Sequence, residues 1–155
     1  KVNRTLDARN RMFFSLYSGG DHTVFNKLVK GYGMDWGNAT ATIRWNHILN
    51  DKTNVNTSAV FSNYYYKYKS LSDGLRYVWK SNMQSYQLKS DWERYQNNLL
   101  TLKGGVNLHY FTTMPGEVGK SGKDSNITPS EMSRKSLWDA ALYACLLYTS
   151  PSPRD

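Results

Sequence analysis

Apolar and polar residues alternate with a period of two along most of this chain. Between residues 37 and 49 the odd positions are Gly37, Ala39, Ala41, Ile43, Trp45, His47 and Leu49, and the even ones are Asn38, Thr40, Thr42, Arg44, Asn46 and Ile48. Successive side chains of a strand point to opposite faces, so this stretch predicts a strand with one apolar and one wet surface. Residues 100–111 repeat the pattern, with Leu100, Leu102, Gly104, Val106, Leu108 and Tyr110 set against Thr101, Lys103, Gly105, Asn107, His109 and Phe111. Between residues 83 and 95, Tyr86, Leu88 and Trp92 alternate with Ser85, Gln87, Lys89, Asp91 and Glu93. That density of charge is costly on a dry face, so the second side must meet water. Weaker segments at residues 11–18 (Met12, Phe14 and Leu16 on one side), 55–69 and 137–144 bring the expected strands to six. The cluster Tyr64-Tyr65-Tyr66-Lys67-Tyr68 breaks the alternation. It is expected at a strand end, where rings suit either an apolar–aqueous boundary or the packing of a soluble sandwich.

The connections alternate in length. Residues 50–54 and a turn around Asn97-Asn98 are short and rich in turn formers. Residues 19–36, 70–82 and 114–136 are long, polar and rich in Gly, Ser and Lys, and are expected to be loops. An up-and-down transmembrane barrel has this asymmetry, with short turns on one side of the membrane and longer loops on the other. A soluble meander gives no reason for it.

Composition sharpens the choice. Aromatic residues make up 14% of the chain, including 12 Tyr and 5 Trp, which favours β-structure and argues against disorder. No run approaches the roughly 18 apolar residues of a membrane-spanning helix. A spanning strand needs only about 9 to 11 residues, half of which face a lumen and tolerate polarity, so the membrane stays open as an environment. The N-terminal Lys1-Val-Asn-Arg-Thr-Leu-Asp7 has no apolar signal core and no initiating Met, and reads as a chain that begins in mid-protein. The final residues, 145–155, read CLLYTSPSPRD and resemble a translated transposase-type sequencing adapter. On that reading residues 1–144 are the natural segment, and the only Cys, Cys145, lies in a non-native tail excluded from the fold.

Two stretches carry a family resemblance. Residues 7–21, DARNRMFFSLYSGGD, and residues 31–48, GYGMDWGNATATIRWNHI, resemble the β-barrel of TonB-dependent outer-membrane receptors of Bacteroidota, and residues 57–68, TSAVFSNYYYKY, are similar to it as well. The resemblance extends with decreasing clarity to about Ala144. It implies a barrel of about 22 strands around an N-terminal plug, of which this chain would supply about six as an open curved sheet. It also implies energy from the TonB complex, and uptake of a nutrient such as a glycan or siderophore without chemical conversion. The TonB box and plug of such receptors have no counterpart among these residues.

Catalytic and cofactor chemistry finds little support. Gly119-Lys120-Ser121 imitates the end of a P-loop, but the required earlier glycine is Met114, so the stretch reads as an exposed loop, as does Gly31-x-Gly33. His22, His47 and His109 stand on separate segments without metal-ligand spacing. Asp91 and Glu93 share a strand face, but Lys89 and Arg94 beside them favour a solvated ion-pair face over a pair of glycosidase acids. No catalytic, cofactor or metal residue is therefore assigned. The net charge of +8 and aromatics beside basic residues, as at residues 64–69 and 76–80, suit single-stranded nucleic acid. The charge is dispersed over all segments, however, which argues against nucleic acid as the partner. The same residues fit anionic lipopolysaccharide, and Tyr77 and Trp79 are the candidate loop residues for stacking on an arriving glycan.

The expected fold is thus an all-β, antiparallel, up-and-down transmembrane barrel segment of the outer membrane. The competing expectation is a soluble β-sandwich that binds carbohydrate. They differ in one respect: Ala41, Ile43, Trp45, Leu102, Val106 and Leu108 line an exposed surface in the first and meet across a closed core in the second.

Overall fold

The computed structural model describes residues 1–26, 31–70, 72, 76–121 and 127–148. They form one antiparallel sheet, and none of them is helical. The strands are β1 (Val2–Thr5), β2 (Asn10–Asn26), β3 (Gly31–Asn50), β4 (Thr53–Ser70), β5 (Tyr77–Asn97), β6 (Leu100–Lys120), β7 (Ser130–Glu131) and β8 (Lys135–Tyr148). Each strand from β1 to β6 pairs with its successor in the chain, and both β7 and β8 pair with the far side of β6. This is an up-and-down open sheet. β1 covers only Arg11 to Phe14 of β2, so the sheet has not closed on itself.

All six expected strands are present, with β1 and β7 in addition. The expected loops are corrected. Most of residues 19–36, and the parts of 70–82 and 114–136 nearest the strands, belong to β2, β3, β5 and β6, so the strands run far past the clean alternation. Gly31 and Gly33 open β3, and Gly119 and Lys120 close β6, where loops were expected. The tyrosine cluster lies inside β4 rather than at its end. β8 continues through residues 145–148, four beyond the boundary drawn at Ala144, and residues 149–155 lie outside the described ones. Glycine and lysine read as loop formers because each costs strand propensity in isolation. Here cross-strand neighbours compensate. The Tyr65 ring lies over Gly37, its register partner, and over Gly20, where a Cβ would collide with it. Such covering of a strand glycine by an aromatic ring restores the packing the missing side chain forfeits.

The difference in connection length survives the correction. At one end β3 turns into β4 through Asp51-Lys52, and β5 into β6 through Asn98-Leu99. Three side-chain carbonyl or carboxylate oxygens fix the chain reversals there. Asp7 accepts from the Arg9 amide at 2.7 Å, Asn50 from the Lys52 amide at 3.0 Å, and Asn97 from the Leu99 amide at 3.0 Å. These are Asx turns, in which a short side chain mimics the backbone. The two longest connections, residues 71–76 and 121–129, lie at the opposite end, whereas residues 27–30 between β2 and β3 are as few as residues 6–9 between β1 and β2.

Register places the two faces without ambiguity, since paired residues share a face. One row crosses the sheet as Leu16, Ala41, Phe61, Tyr86, Tyr110 and Trp138. The next is Phe14, Ile43, Ala59, Leu88, Leu108 and Ala140, and the one below it Met12, Trp45, Thr57, Ser90, Val106 and Leu142. We call this the apolar face. The opposite face carries rows such as Thr42, Val60, Gln87, His109 and Asp139, and Arg44, Ser58, Lys89, Asn107 and Ala141.

No described residue covers the apolar face. No hydrophobic side chain is buried among the described residues. Ile43, Trp45, Leu102, Val106 and Leu108 are all exposed on one surface, as are Leu16 (81%) and Leu142 (85%). Along β5 the apolar Tyr86, Leu88 and Trp92 are more exposed than the polar Gln87, Lys89, Asp91 and Glu93 between them, an inversion of the globular rule. The chain presents 11553 Å² of surface, against about 8,000 Å² for a compact monomer of its mass. Each large side chain left in water forfeits roughly 1.5–3 kcal/mol of burial.

Two open edges and a bare apolar face define how the chain behaves alone. Expressed by itself in detergent-free buffer, it is expected to aggregate, because free strand edges pair with other chains and the face self-associates. Size-exclusion chromatography with light scattering checks this, and a monodisperse monomer with cooperative unfolding would contradict it.

Candidate functional site

The alternation changes phase partway along the strands. Below Tyr64-Tyr65-Tyr66 the apolar residues of β4 are Val55, Ala59 and Phe61 on the apolar face and Val60 alone on the other. Above it, the residues continuing that face are Lys67 and Lys69, and the rings of Tyr66 and Tyr68 belong to the other face. No register shift separates the two regions in the β4–β5 ladder, so the sheet does not flip and only the chemistry does. The same inversion occurs in β3, where Tyr32, Met34 and Trp36 share the face of Asn38 and Thr40.

The inversion gathers aromatic side chains on the polar face, at the end of the longer connections. One register row there is Phe25, Tyr32, Ser70, Tyr77 and Lys120, and the next is Thr23, Met34, Tyr68, Trp79 and Val118. The rings touch in sequence across four strands. Phe25 and Tyr32 stack at 5.5 Å between centroids, Tyr32 and Tyr68 at 6.2 Å, and Tyr68 and Tyr77 meet at 5.9 Å with tilted planes. Burial pushes the Tyr68 phenol above its ordinary ionisation range, with Tyr77, Tyr66 and Tyr32 adding to the effect. It therefore remains a hydrogen-bond donor.

A bulge shapes one side of this ladder. Between Lys80↔Glu117 and Asn82↔Met114 the β5–β6 register shifts, and Pro115-Gly116 stands opposite Ser81. Proline removes a ladder donor, so a bulge accommodates it. Ser81 donates its hydroxyl to the Met114 carbonyl at 3.1 Å across the irregularity. Gly116 beside the proline is buried, and a Cβ there would run into the indole of Trp79. The bare backbone is what gives that ring its place.

Tyr77 and Trp79, expected in a loop, are thus residues of β5, anchored on both sides by register. Tyr77 belongs to the ring sequence, and Trp79 sits beside it on the same face, 42% exposed. Sequence reading missed Phe25, Tyr32 and Trp36 because their segments were read as loops, and Tyr66 and Tyr68 because the tyrosine cluster was read as the boundary at a strand end. The signal was present: Tyr32, Met34 and Trp36 alternate with Gly31, Gly33 and Asp35, but in the opposite phase to residues 37–49.

Below the ladder the polar face is a hydrogen-bonded lining. Asn46 donates to Asn54 at 3.0 Å and Asn56 at 2.8 Å, and Gln87 donates to Asn107 at 2.8 Å. Lys89 pairs with Asp91 at 3.0 Å and Lys103 with Glu93 at 2.7 Å, while Tyr143 donates to Asp91 at 2.6 Å. Asp91 and Glu93 therefore form the ion-pair face expected of them, with Lys103 in the place expected for Arg94, which lies in register with Leu102 on the other face. The three histidines stand apart. His47 contacts Asn10 at 2.7 Å on the apolar face, His109 lies against Phe111 on the polar face, and His22 pairs with Asp35 above the apolar rows. His22 holds the Asp35 carboxyl below the usual carboxylate range.

What this arrangement can do is bind. A row of rings beside hydroxyl groups offers flat apolar contact with hydrogen-bonding edges, the combination suited to a sugar ring or another amphipathic solute. Gly116→Ala is expected to displace the Trp79 indole and change the tryptophan emission and near-ultraviolet dichroism. Gly119→Ala, where a Cβ meets nothing within 4 Å, is the control expected to leave both spectra unchanged. No family model matches the chain, and neither does a curated protein or a solved structure.

Proposed function

We propose that this sheet is a piece of the wall of a transmembrane β-barrel in an outer membrane, part of a TonB-dependent transporter that takes up a nutrient. The apolar face meets lipid and the polar face lines the interior. The observation that carries this is the distribution of charge. On the apolar face, β3 from Ala39 to Leu49, β4 from Val55 to Tyr65, β6 from Leu102 to Thr112 and β8 from Ser136 to Leu146 hold no Asp, Glu, Lys or Arg. The opposite face over the same height holds Arg44, Lys103 and Asp139, and β5 adds Lys89, Asp91 and Glu93.

The dimensions agree. An uncharged stretch of eleven residues, such as residues 55–65, runs about 33 Å along a strand. At a tilt of about 40° it rises roughly 25 Å, the height of the apolar band of such barrels. On that face Tyr86, Tyr110 and Trp138 lie within the band, level with Phe61, whereas Trp45, His47, Trp92 and Tyr148 stand at its turn-end limit and Tyr65 at the other. Aromatic girdles occupy these limits in membrane barrels because amphipathic rings favour the headgroup region. Above the band, water replaces hydrocarbon outside, which accounts for the change of phase.

On this reading the open edges of β2 and β8 pair with further strands of the same barrel, since no free edge is tolerated in hydrocarbon. The ladder around Tyr68, Tyr77 and Trp79 then faces inward at the mouth, where cargo such as a glycan or siderophore arrives. Coupling to the TonB complex belongs to parts of the protein outside this sequence, and the sheet moves its cargo without converting it. The alternative, a soluble carbohydrate-binding sandwich, requires a second sheet over Ile43, Trp45 and Val106, and no described residue supplies one.

Two experiments test the proposal. The complete protein, fractionated from cells, is expected with the outer membrane, and recovery in the soluble periplasm would overturn transport. In lipid, Leu108→Arg is expected to cost about 2–4 kcal/mol of folding stability, the depth-dependent price of a charge near the bilayer midplane. His109→Arg, one residue along on the polar face, is expected to cost well under 1 kcal/mol. Equal costs, measured by denaturant titration in vesicles, would contradict a lipid-facing surface.

A further inference from the structure

The apolar face does not end in water with scattered charge. Directly above Tyr65 and Gly37, one register row reads His22, Asp35, Lys67, Lys80 and Glu117, and the row beyond it Val24, Gly33, Lys69, Val78 and Gly119. Three lysines thus form a triangle on adjacent strands, on the same side of the sheet as the hydrophobic rows. Like charges directly opposite each other on neighbouring strands are destabilising, and Lys67 stands opposite Lys80.

The neighbouring carboxylates offset this only in part. Asp35 is engaged by His22 and, opposite Lys67 in register, attracts Lys67 and Lys69, while Glu117 holds Lys80 at 3.4 Å on its far side, so two carboxylates face three lysines. Among the described residues neither Lys67 nor Lys69 has an ion-pair partner. An anion seated between Lys67, Lys69 and Lys80 would convert repulsion into attraction. Lysines act as point charges on phosphate and need no fixed fork geometry, which suits flexible ammonium groups carried by two adjacent strands.

We propose that Lys67, Lys69 and Lys80 bind the phosphate of a lipid headgroup in the outer leaflet, resting on the membrane reading above. A lipid is favoured over free phosphate because the lysines share a face with the uncharged band, whose first rows below them are Gly37, Tyr65, Asn82 and Met114, then Ala39, Asn63, Gln84 and Thr112. The row Ala41, Phe61 and Tyr86 begins six residues below Lys67 on the same face, roughly 20 Å along the strand. The small side chains Ala39, Ala41 and Ala59 leave that surface shallow between the rings of Tyr65, Phe61 and Tyr86. One molecule can therefore place its phosphate on the lysines and its acyl chains on the band. Free phosphate would use only the first half.

The test uses the complete protein in phosphatidylcholine vesicles containing bisphosphorylated lipid A, with dephosphorylated lipid A as the comparison, and protein-bound lipid A as the readout. The combined variant Lys67→Gln, Lys69→Gln, Lys80→Gln is expected to lose at least about tenfold in binding of the phosphorylated form, given a share of roughly fivefold per lysine. The corresponding three Lys→Arg changes are expected to retain binding, which separates charge from misfolding. Lys89→Gln with Lys135→Gln, on the polar face, is expected to have no effect. Unchanged binding in the triple Gln variant, an equal loss in the polar-face control, or full competition by inorganic phosphate at constant ionic strength would each overturn the lipid site. Failure of the unmodified protein to enter the vesicles would instead overturn the membrane reading itself.

Discussion

A sheet of one layer satisfies its backbone sideways and can do so only through its neighbours. Each strand from β2 to β6 has a partner on both sides along at least part of its length, and the described chain has no second layer against which a face is packed. The usual source of stability, apolar surface removed from water, is thus missing from the sheet as it stands. What remains is a hydrogen-bonded ladder whose two faces must be wetted by something else. The nature of those two environments, rather than a core, is what the side chains record.

The record is consistent from strand to strand. Uncharged residues occupy one face across the middle of β3, β4, β6 and β8, and ion pairs such as Lys89–Asp91 and Lys103–Glu93 are confined to the other. At the level of Tyr64-Tyr65-Tyr66 both assignments invert, with lysines taking over the first face and rings the second. The phase changes without a change of register, so the sheet itself is continuous and only the chemistry of its faces changes with height. The membrane reading proposed above accounts for this change by the headgroup region.

The aromatic ladder and the lysine triangle lie at the same height on opposite faces. They are products of the same inversion. Glycine serves both: Gly37 and Gly20 admit the Tyr65 ring at the upper limit of the apolar rows, and Gly116 admits the Trp79 indole beside the ladder. The Pro115-Gly116 bulge ends the regular β5–β6 register where the rings of the polar face begin. Bulges placed at barrel rims and near binding sites re-aim side chains in this way.

The sequence by itself determined the period. Alternation at residues 37–49, 83–95 and 100–111 fixed the strands, their apolar and polar sides, and the short Asx-capped turns, because strand geometry ties each side chain to a face. It offered Tyr77 and Trp79 as candidate ligand contacts but placed them in a loop, where the structure has them in β5. It did not determine how far the strands run. Residues 19–26, 31–36, 77–82 and 114–120 carry the glycine, lysine and proline of loops, and their alternation is in the reverse phase, so local preference pointed away from strand. Only pairing decided otherwise: Tyr32 becomes a strand residue because Phe25 and Ser70 hold it in register, and Gly37 because Tyr65 covers it. The convergence of Phe25, Tyr32, Tyr68 and Tyr77, drawn from four strands, is likewise absent from any single segment. Face is a local property of a strand, whereas extent and neighbourhood belong to the ladder, and that is the physical reason the first was legible and the others were not.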